Sequence, residues 1–190
     1  PPVREARNQE PIWAALCDGT IDVIATDHAP HSIEEKTRQD IWTVDCGFPG
    51  VETQMPLMLT AVAKGRGSIC DYVRWSAANP AKIWGLYPRK GVIQPGADAD
   101  IAVVDLNRRW TIVDTELHST AKISPWNGWE VQGMPLHTIV RGRFVVKNRV
   151  LQSGTKGWGQ SVHKIQNMPT PSPVNLDQTT AAILSSGARI

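Results

Sequence analysis

Long apolar runs are missing from this sequence. No stretch reaches the roughly 18 apolar residues that a membrane-spanning helix needs, so no such helix and no membrane partner are expected. A charged leader running into an apolar segment is also missing, which argues against a secretory signal. Cysteine is scarce: Cys17, Cys46 and Cys70 show no C-x-x-C spacing and leave an odd thiol, which suits a reducing, cytoplasmic compartment better than a disulfide framework. Charge of one sign is nowhere concentrated. With a net charge of +2 over 190 residues and no long block, nucleic acid is not an expected partner. There is no internal repeat, and the chain opens on Pro1-Pro2 without a methionine, so it reads as a piece of a longer protein.

What is present centres on Ile21 to His31, I-D-V-I-A-T-D-H-A-P-H. The β-branched residues Ile21, Val23 and Ile24 read as a buried strand of a parallel sheet, because such strands are covered on both faces and lose strict alternation. Asp27 falls where that strand stops. In parallel α/β folds, chemistry gathers at the carboxyl ends of strands, which open onto loops held by a rigid scaffold. An aspartate there can bind a metal or take a proton. Read alone, Asp-His-Ala-Pro suits a plain turn equally well, with Asp27 capping the next segment and Pro30 ending the strand.

Around this stretch the pattern predicts a short amphipathic helix near Gln9 to Cys17, stopped by Asp18-Gly19. His31 to Gly50 reads as a long loop in which Gly47, Pro49 and Gly50 allow backbone to approach a small molecule, or as a plain surface loop. Helices are expected over Thr53 to Lys64 and, after the N-cap Ser68, over Ile69 to Ala78. Asn79-Pro80 is expected to break the helix and restart it as Pro80 to Leu86. Strands follow at Gly91 to Ile93, Ala99 to Asp105 and Trp110 to Val113, then a hairpin of His137 to Arg141 and Phe144 to Val146 across Gly142. Pro169, Pro171 and Pro173 make the region from Leu151 to Ile190 an expected extended or disordered tail.

Several motifs occur together and in order: T-D-H-A-P-H at Thr26 to His31, G-F-P-G-V-E-T at Gly47 to Thr53, and Asn79-Pro80-Ala81-Lys82. Pro1-Pro2-Val3-Arg4, Gly91 to Asp105 and Ser124 to Gly133 join them. This set resembles the dihydroorotase branch of the cyclic amidohydrolases, within the amidohydrolase superfamily. The resemblance implies an α/β fold: the C-terminal part of a (β/α)8 TIM-type barrel over residues 1–88, part of a small composite β-sandwich over 89–150, and the extended tail over 151–190. It implies hydrolysis of a cyclic amide, with dihydroorotate the first choice and a hydantoinase-type or allantoinase-type five-membered ureide the alternative.

That reaction uses one or two divalent metals, Zn2+ first, to lower the pKa of water and to act as Lewis acids. By the resemblance Asp27 is both a metal ligand and the catalytic proton carrier, His31 contacts the substrate's carboxylate, and Pro49 and Gly50 present main-chain groups to the ring amide. His28 is read as a supporting histidine, and His118, His137 and His163 as surface or locally bonded. The other family ligands, an H-x-H pair, a mid-barrel lysine or acid and two later histidines, map onto nothing here, so the segment alone is expected to be inactive and to fold poorly. A homo-oligomer through barrel or tail is the expected assembly. A non-catalytic scaffold or truncation product is the reading from another class.

Overall fold

The computed structural model describes residues 4–163. Residues 1–3 of the P-P-V-R motif and residues 164–190 of the expected tail, with its three prolines, lie outside the described residues.

Helix α1 (Gln9–Asp18) forms as its pattern predicts and ends at Gly19. Its buried Leu16 and the edge-on packing of Trp13 against Trp75, at 6.4 Å between centroids, dock it on the helices that follow. A one-turn helix α2 (Ile33–Lys36) sits inside the long loop, and α3 (Gln54–Ala63) begins at Thr53, burying Pro56 and Leu59. Ser68 caps α4 (Ile69–Val73) in a reciprocal box: its Oγ accepts from Asp71 N at 3.1 Å, and the Asp71 carboxylate accepts from Ser68 N at 2.9 Å.

Three expectations over residues 21–93 need correction. The helix does not break at Asn79-Pro80. It widens into a π turn at Arg74–Ala78, where Asn79 N donates to Arg74 O, and continues as α5 (Asn79–Ile83). A proline lacks the N–H that would close the next bond, and a locally wider turn absorbs that loss without ending the helix. The second correction concerns Ile21 to Ile24, which has no ladder among the described residues, where the nearest pairing is a single parallel bridge between His28 and Phe48. A strand is defined by its neighbours, and here helix groups serve instead: Ile24 N donates to Trp75 O at 3.3 Å and Asp22 O accepts from Asn79 Nδ2 at 2.8 Å. The third is Gly91 to Ile93, which forms no strand and leaves Ile93 82% exposed.

The second half is one antiparallel sheet in the order β1 (Ile101–Thr111), β2 (Glu130–Val140), β3 (Arg143–Lys147) and β4 (Val150–Leu151). The two short strands expected over Ala99 to Val113 are joined into β1 across a register shift between Asp105 and Arg109. Asp105 Oδ1 holds that bulge by accepting from Asn107 N and Arg108 N. The predicted hairpin forms, turning on Arg141 and Gly142 at φ 46° and 77°, the backbone of a tight two-residue connection. Ile112, Leu117 and Val131 form the buried cluster, with Leu57, Trp110 and Trp126 packed on it. Helix α3 lies on β2, and Thr60 Oγ1 accepts from Gln132 N at 2.8 Å. The chain is thus a mixed α/β structure whose helical half is fastened to the sheet through α3.

Candidate functional site

Asp27 ends the extended segment with φ 45°, a left-handed backbone that is uncommon outside glycine. That turn re-aims the chain and leaves Asp27 exposed at the segment's carboxyl end. Such outliers persist where the surroundings over-determine them. The surroundings here are the turn from Gly47 to Gly50. A Cβ built on Gly47 would lie 2.5 Å from Ala29 Cβ, and one on Gly50 would lie 2.9 Å from Thr26 O. Only glycine lets the two backbones come this close, so the G-x-x-G spacing brackets Asp27 from both sides. Ala29 N donates to Phe48 O at 3.1 Å between the two glycines. Pro49 and Gly50 are buried against this contact.

His28 ties the arrangement together. Its Nδ1 accepts from Gly50 N at 3.0 Å and Val51 N at 3.2 Å. Gly50 O accepts from Gln54 N at 3.0 Å, which passes the restraint into the start of α3. Glu52 reaches the other way, accepting from His118 N at 2.8 Å and pairing with His118 Nδ1 at 2.8 Å. His28, Pro49, Glu52, Leu117 and His118 thereby line a cleft of about 230 Å³ between the turn and the approach to the sheet. Phe48 packs edge-on against Trp126 at 5.2 Å, closing the same junction.

His31 belongs to a different group. Its Nδ1 lies 3.8 Å from Glu35 Oε2, and ligand atoms of His31, Glu35 and Asp45 all fall within 4.8 Å of one another. Glu35 also accepts from Ser32 N at 2.6 Å, and this backbone hydrogen bond is the main reason its carboxyl sits below the usual range. Lys36 Nζ donates to Asp45 O at 2.8 Å and Gly47 O at 2.6 Å, and Arg38 pairs with Asp45 at 3.3 Å. The long loop is therefore braced onto the glycine turn.

Of the residues singled out in the sequence, Asp27, Pro49 and Gly50 are brought into one junction, while His31 pairs with Glu35 and lies near Asp45. Three residues build the junction through partners that no local pattern announces. His28 is read in the sequence only as a supporting histidine, and its partners lie 22 and 23 residues away. Glu52 and His118 are 66 residues apart, and no local pattern announces them.

Comparison with known proteins bears on what the junction serves. The sequence profile of the amidohydrolase family matches residues 4–145. An L-hydantoinase of Paenarthrobacter aurescens is 40% identical over 166 residues, 85% of this chain and 36% of that protein. A D-phenylhydantoinase of Escherichia coli O1:K1 / APEC is 37% identical over 149 residues, 76% of this chain and 32% of that protein. Among solved structures, a dihydropyrimidinase from Brevibacillus agri NCHU1002 superposes with a TM-score of 0.83 at 32% identity, covering 89% of this chain and 38% of that one. The chain spans about a third of the length of these relatives. They are hydantoinases and a dihydropyrimidinase, so the hydantoinase alternative fits them better than the first choice of dihydroorotase.

Proposed function

The chain belongs to the amidohydrolase family, and from that membership we propose that it supplies the carboxyl-terminal part of a metal-dependent, hydantoinase-type cyclic amidohydrolase. In this reading residues 1–88 close a (β/α)8 barrel, residues 89–150 build part of a β-sandwich, and the whole protein works as a homo-oligomer in the cytoplasm. The observation that carries it is Asp27, held in a left-handed turn at the carboxyl end of an apolar segment with the Gly47–Gly50 turn clamped against it.

Asp27 fits a metal set as one carboxylate donor. Among the described residues the one three-membered group of possible ligands is His31, Glu35 and Asp45, so Asp27 needs donors from outside it. When bound, a divalent metal such as Zn2+ supplies a Lewis acid for the amide oxygen and a lowered pKa for water. The Asp27 carboxylate takes the proton of the attacking water and returns it to the ring nitrogen as the C–N bond breaks and the C–O bond forms. Of the two residues expected to present main-chain groups to the ring amide, Pro49, in the cleft wall, would offer its carbonyl, whereas Gly50, whose N–H and C=O are taken up by His28 and Gln54, sets the turn.

The ring is assigned from His31. A dihydroorotate carries a carboxylate that His31 would have to receive, but the Glu35 carboxylate already lies 3.8 Å from its Nδ1, with Asp45, itself paired to Arg38, beside it. Like charges in one small site repel, so a ring without a carboxylate suits it better. The test uses the longest natural form of the protein, assayed on hydantoin and on dihydroorotate with its metal content measured. Turnover of hydantoin above dihydroorotate, falling on the order of 10³-fold in Asp27→Asn, is the expected result. Preference for dihydroorotate would overturn the ring assignment, and absence of turnover with any cyclic amide would leave the scaffold reading.

A further inference from the structure

We propose that His28 is the positioning residue of this site: through Nδ1 it fixes the Gly50–Val51 backbone beside Asp27, and so sets the spacing between the proton carrier and the turn that faces the ring. Both partners of Nδ1 are backbone N–H groups, which can only donate. Nδ1 must therefore be bare, and the ring proton sits on Nε2. One acceptor shared by two consecutive amides pins the turn in orientation as well as in distance. A single hydrogen bond would leave it free to swivel.

The arrangement is local and closed. His28 follows Asp27 directly, it pairs with Phe48 in a parallel bridge, and Gly50 O carries the restraint into α3 through Gln54 N. Gly47 and Gly50 bring the backbones into contact, but contact alone does not choose a register along the chain. The two bonds to His28 choose it. Without them Gly50 N and Val51 N lose their acceptor, and the turn can slide relative to Asp27. Displacements on the order of 1 Å near reacting atoms cost about 10²-fold in rate.

The catalytic consequence rests on the hydantoinase-type reading; the structural one does not. The experiment is therefore read in two ways on the same full chain. His28→Leu removes the acceptor, whereas His28→Asn keeps an oxygen near the place of Nδ1. Amide hydrogen exchange at Gly50 and Val51 is expected to quicken at least about tenfold in His28→Leu while α3 and β2 keep their protection, and to return close to the parent rate in His28→Asn. In the turnover assay His28→Leu is expected to lower kcat about 10²-fold with a smaller change in KM, and His28→Asn to recover most of it. Unchanged exchange at Gly50 and Val51 in His28→Leu overturns the proposal. If His28→Leu unfolds, His28→Ala is read in its place, and Gly50 and Val51 amides as protected in a folded His28→Ala chain as in the parent overturn it equally. Local exchange as expected in a chain whose parent shows no turnover sustains the positioning role and sinks the hydantoinase reading instead.

Discussion

The junction around Asp27 and the sheet that carries it are held by different forces. Ile112, Val131 and Met134 are 0%, 3% and 1% exposed, so the sheet rests on apolar burial, which is non-directional and tolerant of small shifts. At the junction Asp27, His28, Val51 and Glu52 are all exposed, and the backbone is positioned by close glycine contacts and hydrogen bonds with fixed partners. The sheet can therefore lose strength without losing shape, while the junction can lose its shape with little loss of strength. A site that must hold a carboxylate and a backbone turn in fixed relation calls for the second kind of restraint.

The contrast can be broken from either side. The largest effect is expected from Ile112→Ala, which empties the centre of the buried cluster and should cost about 2–5 kcal/mol in denaturant unfolding. Exchange at Gly50 and Val51 should then rise only as far as global stability falls. Gly50→Ala is the converse lesion: its methyl would sit 2.9 Å from Thr26 O and 3.1 Å from Thr26 Cβ. It should cost about 1–3 kcal/mol, and activity should fall further than stability does. Equal losses of both in Gly50→Ala would erase the distinction between the two regions.

Smaller changes sharpen it. Ser32→Ala removes the cap of α2, worth about 1 kcal/mol locally, and should loosen the 31–45 loop in exchange measurements without moving the unfolding of the sheet. The smallest effect belongs to the ion group that joins Arg141 at the hairpin to Lys90. Burial works against ionising Asp100, but the Lys90 hydrogen bond and the Arg141 N–H outweigh it and hold its carboxyl below the ordinary value. Asp98 is lowered likewise by its hydrogen bond from Lys90. Depressed carboxyl pKa values mean stability that is complete above about 4, the unfolded range, and is lost as pH falls through the folded values. An acid titration of the unfolding midpoint should show this loss, and Asp100→Asn should remove part of it at a cost of about 1 kcal/mol or less at neutral pH.

The same contrast explains what could be read from the sequence. Helices α1 and α3, the Ser68 cap and the β2–β3 hairpin follow from nearest-neighbour chemistry, and they stand where periodicity and turn residues put them. The Ile21 segment has no ladder among the described residues; β-branched composition speaks of burial and cannot say which groups will meet the backbone. At Asp105 a side chain accepting two nearby amides turned an expected gap into a bulge within one strand. At the site, the G-x-x-G spacing announced close approach but not its target, since Thr26 and Ala29 lie 24 and 18 residues upstream of Gly50 and Gly47. His28 and the Glu52–His118 pair depend wholly on such distant meetings.

The Asn79-Pro80 pair also protects an edge. Because Pro80 has no N–H, the widened turn leaves Trp75 O without its helical donor, and that oxygen takes Ile24 N; one residue earlier in the helix than Pro80, the Asn79 amide takes Asp22 O. In extended backbone the carbonyl of residue 22 and the N–H of residue 24 point to the same side. The helix thus satisfies the pair of groups that an intruding strand would need, and an apolar β-branched segment is denied its means of recruiting another chain on that side. Replacing Asn79 and Pro80 would free those groups, and the first sign would be self-association.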